Sequence, residues 1–392
     1  MLAFVMSLCV IASASAQGSH RVGSRTVSWL NTSGFGSTLL AATVKYPAAV
    51  TGTGTPVLPA SGGWPVIVFL HGYSFLGFDY ADLGDAWASA GYVVVLGDTA
   101  QFDWILQEYD GRAMFGALGA ANVEPGGPFE GALDTSRVVL AGHSMGGAGV
   151  AHVLQNNPGY RGGFALAPVM PLGGAAAAVA VPLGIAVGMG DTITPWDWYS
   201  QPYYNAVTQY GSLKFLYLMD TTCDHMTLAG LSGPTEPSFT RAASLGLGFF
   251  GHVLGIDPTA LEMVFGRDPM QDPQLVSMQR QTMVPQLWLE QPLTIGMATR
   301  SSQVMDPGIA GLVAASSLAP PVSTPYGTLL VDPGTAFILA IGITDAEGRI
   351  DIDVTLPPDP LLIGLPVALQ GLGPSQGFEL VLGSALFTRV VQ

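Results

Sequence analysis

Short apolar runs alternate with helix-length segments through the middle of the chain. Each run is apolar at successive positions, which is typical of strands buried on both faces of a parallel sheet. The helix-length segments lie at residues 79–90, 147–155 and 198–210. This alternation predicts an α/β fold with right-handed βαβ units, a mostly parallel sheet, and ligand binding at the carboxyl ends of its strands. The predicted core strands are residues 65–70, 92–96, 137–141, 163–167, 183–187 and 213–219, with an antiparallel edge at 25–30 and 38–46.

The pattern changes after about residue 285, which predicts a second domain. From Pro292 onward, short runs with a two-residue period are separated by Gly, Pro, Asp and Ser, without a helical period. Residues 337–344 and 349–356 flank a turn at 345–348, a pattern typical of a hairpin. The carboxylates around this turn lack calcium-loop spacing and predict a solvated edge. About 100 residues of this kind fit a small β-sandwich. The predicted domains are therefore an α/β domain over 17–285 and a β-sandwich over 286–392.

Two apolar stretches have the composition of targeting or membrane segments. Residues 2–11 form an apolar run before Ala-Ser-Ala at 14–16. This predicts a signal peptide over residues 1–16 and a secreted protein, with a buried first helix as the alternative. Residues 162–190 carry no charge, but proline and glycine interrupt them repeatedly. We therefore expect two core strands there and no integral membrane segment.

Composition narrows the classes of function. The 392 residues include 28 acidic and 13 basic side chains, for a net charge of −15, and 49% are apolar. The apolar content excludes a disordered polyelectrolyte, and so few basic residues cannot form a phosphate-neutralising patch. We therefore expect no nucleic-acid partner. Cys9 and Cys223 are the only cysteines, which excludes a disulfide framework.

The segment Gly142-His143-Ser144-Met145-Gly146 has the G-x-S-x-G pattern. It follows a predicted strand and opens a predicted helix, which is the structural context of a nucleophile elbow. In such an elbow a strained turn lifts the serine oxygen above the sheet, and the two glycines let the backbone turn sharply. The pattern predicts Ser144 as a catalytic nucleophile.

A nucleophilic serine needs a histidine base, and the base needs an acid that orients it. With this elbow the partners follow in the order Ser, acid, His. His225 follows the last predicted parallel strand, whereas His252 lies in a helical segment and is more typical of a core or surface histidine. Asp191 directly follows the strand predicted at 183–187 and is the candidate acid. Asp98 precedes Ser144 in the chain and is therefore in the wrong order. Asp197, Asp220 and Asp224 are more typical of residues that cap helices or turns.

The oxyanion of an ester intermediate needs two backbone N–H donors. One candidate is the N–H of Met145, directly after the nucleophile. The other follows the strand predicted at 65–70, where His71-Gly72-Tyr73 places Tyr73 as the donor. His71 itself is more typical of a histidine that braces a loop than of a second base.

Together these segments resemble the α/β-hydrolase superfamily, and more narrowly the bacterial cutinase and polyester-hydrolase (PET hydrolase) group with its lipase relatives. The similar motifs are HGY, D-x-S-R-x-x-x-x-GHSMGG, GxxD-x-I-x-P and a late DH, within residues 25–260. The resemblance implies an α/β-hydrolase fold and an open cleft without a lid. It also implies a role for each of the following residues: a triad of Ser144, Asp191 and His225, an oxyanion hole from Tyr73 and Met145, and a cleft lined by Tyr73 and Ile193.

The chain departs from the group at its aromatic wall and at its C-terminus. The tryptophan that faces the aromatic ring in the group would fall at Val169, and Trp196 or Trp198 is the alternative wall. The group's C-terminal disulfide is absent, and the β-rich tail is additional. The resemblance therefore implies ester hydrolysis but leaves the preference for polyesters open. The same motifs also resemble chlorophyllases and platelet-activating-factor acetylhydrolases.

These observations predict a secreted, monomeric serine carboxylic-ester hydrolase that works through an acyl-enzyme on Ser144. No metal or organic cofactor is implied. The expected open cleft suits a bulky, polymeric or insoluble ester. Two alternatives remain: a lipase or acetylhydrolase for small or lipid esters, and a non-catalytic binding protein whose sandwich is the working part.

Overall fold

The structure is a computed structural model that describes residues 18–100, 102–374 and 380–392. The signal peptide predicted over residues 1–16 lies outside the described residues. Within the described part of the chain, no helix combines the length and the apolar character needed to cross a membrane.

A ten-stranded sheet forms the larger part of the molecule. Its strands are β1 (Arg21–Leu30), β2 (Leu39–Ala48), β3 (Gly52–Thr53), β4 (Trp64–Leu70), β5 (Val93–Asp98), β6 (Leu133–His143), β7 (Gly163–Leu166), β8 (Leu183–Gly188), β9 (Leu213–Met219) and β10 (Leu275–Thr282). They are arranged in the order β10-β9-β8-β7-β6-β4-β5-β2-β1-β3. The central strands β4 to β9 are mutually parallel, whereas β2 and β10 pair antiparallel with β5 and β9. The predicted parallel sheet and its antiparallel edge are confirmed, and β10 is an additional strand.

Helices cover both faces of this sheet. They are α1 (Ala81–Ser89), α2 (Trp104–Val123), α3 (Met145–Leu154), α4 (Ser200–Ala206), α5 (Pro237–Val253), α6 (Glu262–Phe265) and α7 (Arg267–Met270). On one face α1 packs against α5, where the indole of Trp87 donates to the carbonyl of Ala243 at 3.1 Å. On the other face α2 packs against α3. The layers confirm the α/β-hydrolase fold.

The uncharged stretch at residues 162–190 forms the two central strands β7 and β8, as expected. Every residue of β7, β8 and β9 is buried. β7 and β8 contain only apolar residues and glycine, whereas β9 also buries Lys214. Since β4 to β9 run parallel, the loops that follow them meet at one edge of the sheet. The elbow, the candidate acid and the candidate base all lie in loops at this edge.

The C-terminal region consists of antiparallel strands. They are β11 (Gln286–Leu289), β12 (Ala298–Val304), β13 (Ile309–Ala315), β14 (Leu318–Thr324), β15 (Gly327–Val331), β16 (Phe337–Ile343), β17 (Arg349–Thr355), β18 (Pro366–Pro374) and β19 (Leu380–Arg389). A three-stranded sheet β11-β12-β17 shares an apolar core with a four-stranded sheet β16-β13-β18-β19. That core joins Leu287 and Leu289 of the first sheet to Leu312 and Leu369 of the second. This arrangement confirms a β-rich C-terminal region.

The hairpin expected around residues 345–348 is wrong, although both of its strands exist. β16 pairs with β13 and β17 pairs with β12, so the turn carries the chain from one sheet to the other. The turn closes locally, because the N–H of Arg349 donates to the Asp345 carboxylate at 2.7 Å. A two-residue period shows which side chains face the core but does not identify the partner strand. Here Ile352 and Val354 face the core between the sheets, and this burial is compatible with pairing to β12.

The C-terminal region packs against the edge of the ten-stranded sheet opposite the functional loops. Trp288 is 1% exposed, belongs to the main apolar core and donates to the Glu262 carboxylate at 2.8 Å. The Gln286 side chain bonds to His252 at the end of α5, with 2.9 Å between Oε1 and Nε2. A cavity of about 850 Å³ lies at this edge, and its lining includes Tyr160, Gln286 and Phe387. The elbow lies at the opposite edge of the sheet from this cavity.

Candidate active site

Ser144 lies in the sharp turn between β6 and α3, with φ 56° and ψ −116°. This backbone region is unfavourable for residues with a side chain and is a marker of functional strain. The flanking glycines are required by close packing. A Cβ at Gly142 would lie 2.2 Å from the carbonyl oxygen of Gly146, and a Cβ at Gly146 would lie 2.1 Å from that of Leu70. The turn therefore has the strained geometry expected of an elbow.

Asp191 and His225 are buried side by side in the loops that follow β8 and β9. The distance between Asp191 Oδ2 and His225 Nδ1 is 2.7 Å. The other carboxylate oxygen of Asp191 accepts the backbone N–H groups of Ile193 at 2.9 Å and Thr194 at 2.7 Å. Burial alone would raise the pKa of Asp191, but the hydrogen bonds from His225 and Thr194 outweigh it and lower that pKa below its ordinary value. The pair thus combines a stable carboxylate with an oriented imidazole.

The aspartates considered as competitors have local partners of their own. Asp98 accepts the N–H of Gly77, Asp220 accepts the N–H of Thr222, and Asp224 accepts the N–H of Met226. Asp197 is exposed. His252 lies at the other edge of the sheet, where burial lowers its pKa and Gln286 is its partner. Among these candidates, the structure brings Asp191 and His225 together.

A buried chain of hydrogen bonds connects three of the functional loops. The N–H of Gly72 donates to the Tyr80 hydroxyl, which lies 2.9 Å from His143 Nδ1. His143 Nε2 lies 2.9 Å from the carbonyl oxygen of His225. Since a carbonyl only accepts, Nε2 carries the ring hydrogen and Nδ1 accepts from Tyr80. Burial, reinforced by His225, lowers the pKa of His143 to about 3, so this ring stays neutral. No motif or spacing in the sequence predicts these contacts of Tyr80 and His143.

The backbone before Tyr73 lies against the nucleophile. A Cβ at Gly72 would lie 3.3 Å from the Cβ of Ser144. Among the described residues, neither the N–H of Tyr73 nor that of Met145 donates to a protein acceptor. His71 is buried beneath this loop, with Nδ1 2.8 Å from the carbonyl of Gly72 and Nε2 2.9 Å from the Thr99 hydroxyl. These contacts agree with a histidine that braces the loop.

Apolar side chains surround this edge of the sheet and face solvent. Tyr73 is 59% exposed, and its ring meets that of Phe102 at 5.1 Å between centroids. Val169 is half-buried, and its N–H donates to the Ser144 carbonyl at 3.0 Å. Trp196 is half-buried against the main core. The exposed apolar side chains in the segments that follow β4, β5, β7 and β8, including the start of α2, are Tyr73, Phe78, Phe102, Ile105, Leu106, Leu172, Met189, Ile193 and Trp198.

Sequence comparisons point to one family. Residues 9–234 match the family model described as PET hydrolase-like. A bis(hydroxyethyl) terephthalate hydrolase of Streptomyces coelicolor is 27% identical over 212 residues, which is 53% of this chain and 61% of that protein. Cutinase 1 of Thermobifida cellulosilytica is 29% identical over 53% of this chain and 72% of its own length. A cutinase of Thermobifida fusca is 29% identical over 53% of this chain and 63% of its own length. The match thus covers less than two thirds of the first and third of these relatives.

Proposed function

The chain belongs to the PET hydrolase-like family, and from this premise we propose that it is a secreted serine carboxylic-ester hydrolase. The observation that carries the proposal is the 2.7 Å contact between Asp191 and His225 at the same sheet edge as the strained Ser144. In this arrangement Ser144 is the nucleophile, His225 the base and Asp191 the acid that orients the base. The proposal of secretion rests on the signal peptide that the sequence predicts over residues 1–16.

The proposed reaction proceeds through an acyl-enzyme. Ser144 Oγ attacks the ester carbonyl carbon while His225 Nε2 takes the hydroxyl proton. Asp191 stabilises the resulting imidazolium through Nδ1–H, and the N–H groups of Tyr73 and Met145 would bind the oxyanion. The C–O bond to the leaving alcohol then breaks, and His225 returns the proton to that alcohol. Water then attacks the acyl carbon while His225 takes its proton. The bond from the acyl carbon to Ser144 Oγ breaks, and His225 returns the proton to Oγ, which releases the acid and regenerates Ser144.

The surroundings of the site support an apolar and bulky ester. Several exposed side chains at this edge are aromatic or aliphatic, among them Tyr73, Phe102, Ile193 and Trp198. The connection from β7 to β8 contains one short 3₁₀ turn, Ala175–Ala178, in place of a helical cap. The similar proteins include a bis(hydroxyethyl) terephthalate hydrolase and cutinases. We therefore propose aromatic or aliphatic polyesters and their soluble fragments as the substrate class.

A second candidate is hydrolysis of small or lipid esters, which Val169 favours because it supplies no ring opposite Tyr73. The two candidates are separated by comparing kcat/KM on p-nitrophenyl acetate, butyrate and octanoate with the release of acid from an aromatic polyester film. Release from the film supports the first candidate. Turnover of soluble esters without release from the film supports the second.

Replacing Val169 by tryptophan should improve hydrolysis of aromatic polyesters more than that of short aliphatic esters. The new ring would face Tyr73 across the cleft, and an aromatic pair contributes about 0.5–1.5 kcal/mol beyond area burial. We expect about a 2- to 10-fold gain on an aromatic film and little change on p-nitrophenyl acetate. Val123→Trp is the control, because Val123 is exposed at the far end of α2. Equal gains on both substrates would show that residue 169 does not line the cleft.

We also propose the domain division at residue 285. A chain that ends there should still hydrolyse soluble esters, because the proposed catalytic residues lie before it. Its melting temperature should fall, because Trp288 leaves the main core and His252 loses Gln286. The melting temperature of Trp288→Ala in the full chain measures the loss of the Trp288 packing alone. A truncated protein that is insoluble or inactive would refute the division.

A further inference from the structure

Thr194 lies against both Asp191 and His225, and the proposed reaction gives it no role. Its side chain is 2% exposed. The hydroxyl oxygen is 2.7 Å from Asp191 Oδ2, 3.1 Å from His225 Nδ1 and 3.0 Å from the carbonyl oxygen of Ala167. Its backbone N–H also donates to Asp191 Oδ1 at 2.7 Å. A single residue therefore contacts the acid twice and the base once.

We propose that Thr194 is a positioning residue of the triad, whose hydroxyl fixes Asp191 and stabilises His225 when His225 is charged. This inference rests on the proposed function and names a further residue for the same reaction. A hydroxyl has one hydrogen to donate and two lone pairs that accept. The hydroxyl therefore cannot donate its one hydrogen to Asp191 and to the carbonyl of Ala167 at the same time.

The hydroxyl has two useful orientations. When it donates to Asp191, the carboxylate receives four hydrogen bonds, from His225 Nδ1, the Thr194 hydroxyl, and the N–H groups of Ile193 and Thr194. When it donates instead to Ala167, a lone pair faces the Nδ1–H of His225, which is then shared between Asp191 and Thr194. The second orientation favours the imidazolium, because it adds an acceptor beside the cation.

Rotation of the Thr194 O–H bond alone thus switches between an orientation that donates to Asp191 and one that stabilises the charged His225. No heavy atom has to move. In the proposed reaction His225 becomes charged when it takes the Ser144 proton, so the gain falls on the transition state and on the tetrahedral intermediate. An interaction that strengthens there raises kcat and leaves ground-state binding unchanged.

The contact with Ala167 also joins the acid loop to the nucleophile turn. Ala167 directly follows β7 and has a φ of 41°, a region that favours glycine. Two residues later, the N–H of Val169 donates to the Ser144 carbonyl. Thr194 therefore holds Asp191 against the same short segment that supports the nucleophile.

The test compares side chains of similar shape that keep or lose the hydroxyl, in the full-length protein with p-nitrophenyl butyrate. Thr194→Val should lower kcat about tenfold or more with KM near the wild-type value, since a hydrogen bond to a charged group is lost. Thr194→Ser should keep kcat within about threefold of wild type. Thr299→Val is the matched control, because Thr299 is also buried and its hydroxyl donates to the carbonyl of Pro292.

A spectroscopic measurement separates positioning from general stability. The Nδ1–H of His225, shared with Asp191, should give a downfield proton resonance that shifts in Thr194→Val and not in Thr299→Val. If the valine variant does not fold, Thr194→Ala removes the same hydroxyl with a smaller side chain. A hydroxyl-free variant with kcat within twofold of wild type and an unshifted resonance would overturn the inference.

The outcome also distinguishes this inference from the proposed function. If the wild-type protein is labelled at Ser144 and hydrolyses esters while Thr194→Val behaves like wild type, the inference about Thr194 alone is wrong. If the wild-type protein is not labelled at Ser144, the proposed function is wrong, and the inference falls with it.

Discussion

Ser144→Ala should lower ester turnover by about 10⁴-fold or more, because the acyl-enzyme cannot form without the nucleophile. The residual rate would come from oxyanion stabilisation and substrate binding. The fold should be unaffected, since alanine is smaller than serine and the φ of 56° is as strained for one as for the other. The measurement is kcat/KM on p-nitrophenyl butyrate, together with the melting temperature of both proteins.

Ser200→Ala is a matched control for this substitution. Ser200 is also a buried serine, and it lies at the start of α4, outside the functional loops. We expect its turnover to stay close to wild type. Near-normal turnover in Ser144→Ala would rule out the proposed covalent mechanism.

Asp191→Asn and His225→Ala should each lower kcat by about 10³- to 10⁴-fold. An asparagine keeps the shape of Asp191 but loses the charge that stabilises the imidazolium, and its amide cannot enforce the required tautomer. Without His225, no base takes the Ser144 proton. Both variants should lose activity at every pH at which wild type is active, and KM should change little. Steady-state kinetics from pH 5 to 9 give the comparison.

The double variant provides an additional check. Residues that act as one unit are not additive, so Asp191→Asn combined with His225→Ala should be little worse than His225→Ala alone. His252→Gln is the control, because glutamine can still hydrogen-bond to Gln286 at the opposite edge of the sheet. If His252→Gln abolished turnover while His225→Ala did not, the assignment of the base would be wrong.

The larger fold could be predicted because its signals are local and consistent. Strands such as β7 and β8 are apolar at every position and lie between turn residues, so both their type and their burial follow from the sequence. The candidate triad follows from the same pattern, since Ser144, Asp191 and His225 each lie in the loop that follows a parallel strand. Helix α2 was missed because the side chains that it buries include Gln107 and Asp110, which interrupt the apolar period.

The parts that sequence reasoning missed depend on contacts between distant segments. The partner of β17 is chosen by the core shared between two sheets, which a local two-residue period does not encode. Thr194 follows Asp191 by three residues, but its contact with Ala167 spans 27 positions. The path from Gly72 through Tyr80 and His143 to His225 likewise joins loops that only the folded sheet brings together.

The most direct test of the central claim is active-site labelling with a fluorophosphonate, followed by mass mapping of the labelled peptide. An activated serine in a triad attacks this reagent, whereas an ordinary serine does not. We expect one label per chain, on Ser144, with labelling lost in Ser144→Ala and strongly slowed in His225→Ala. A label on another residue, or no label on a protein that still hydrolyses esters, would contradict the proposed catalytic site.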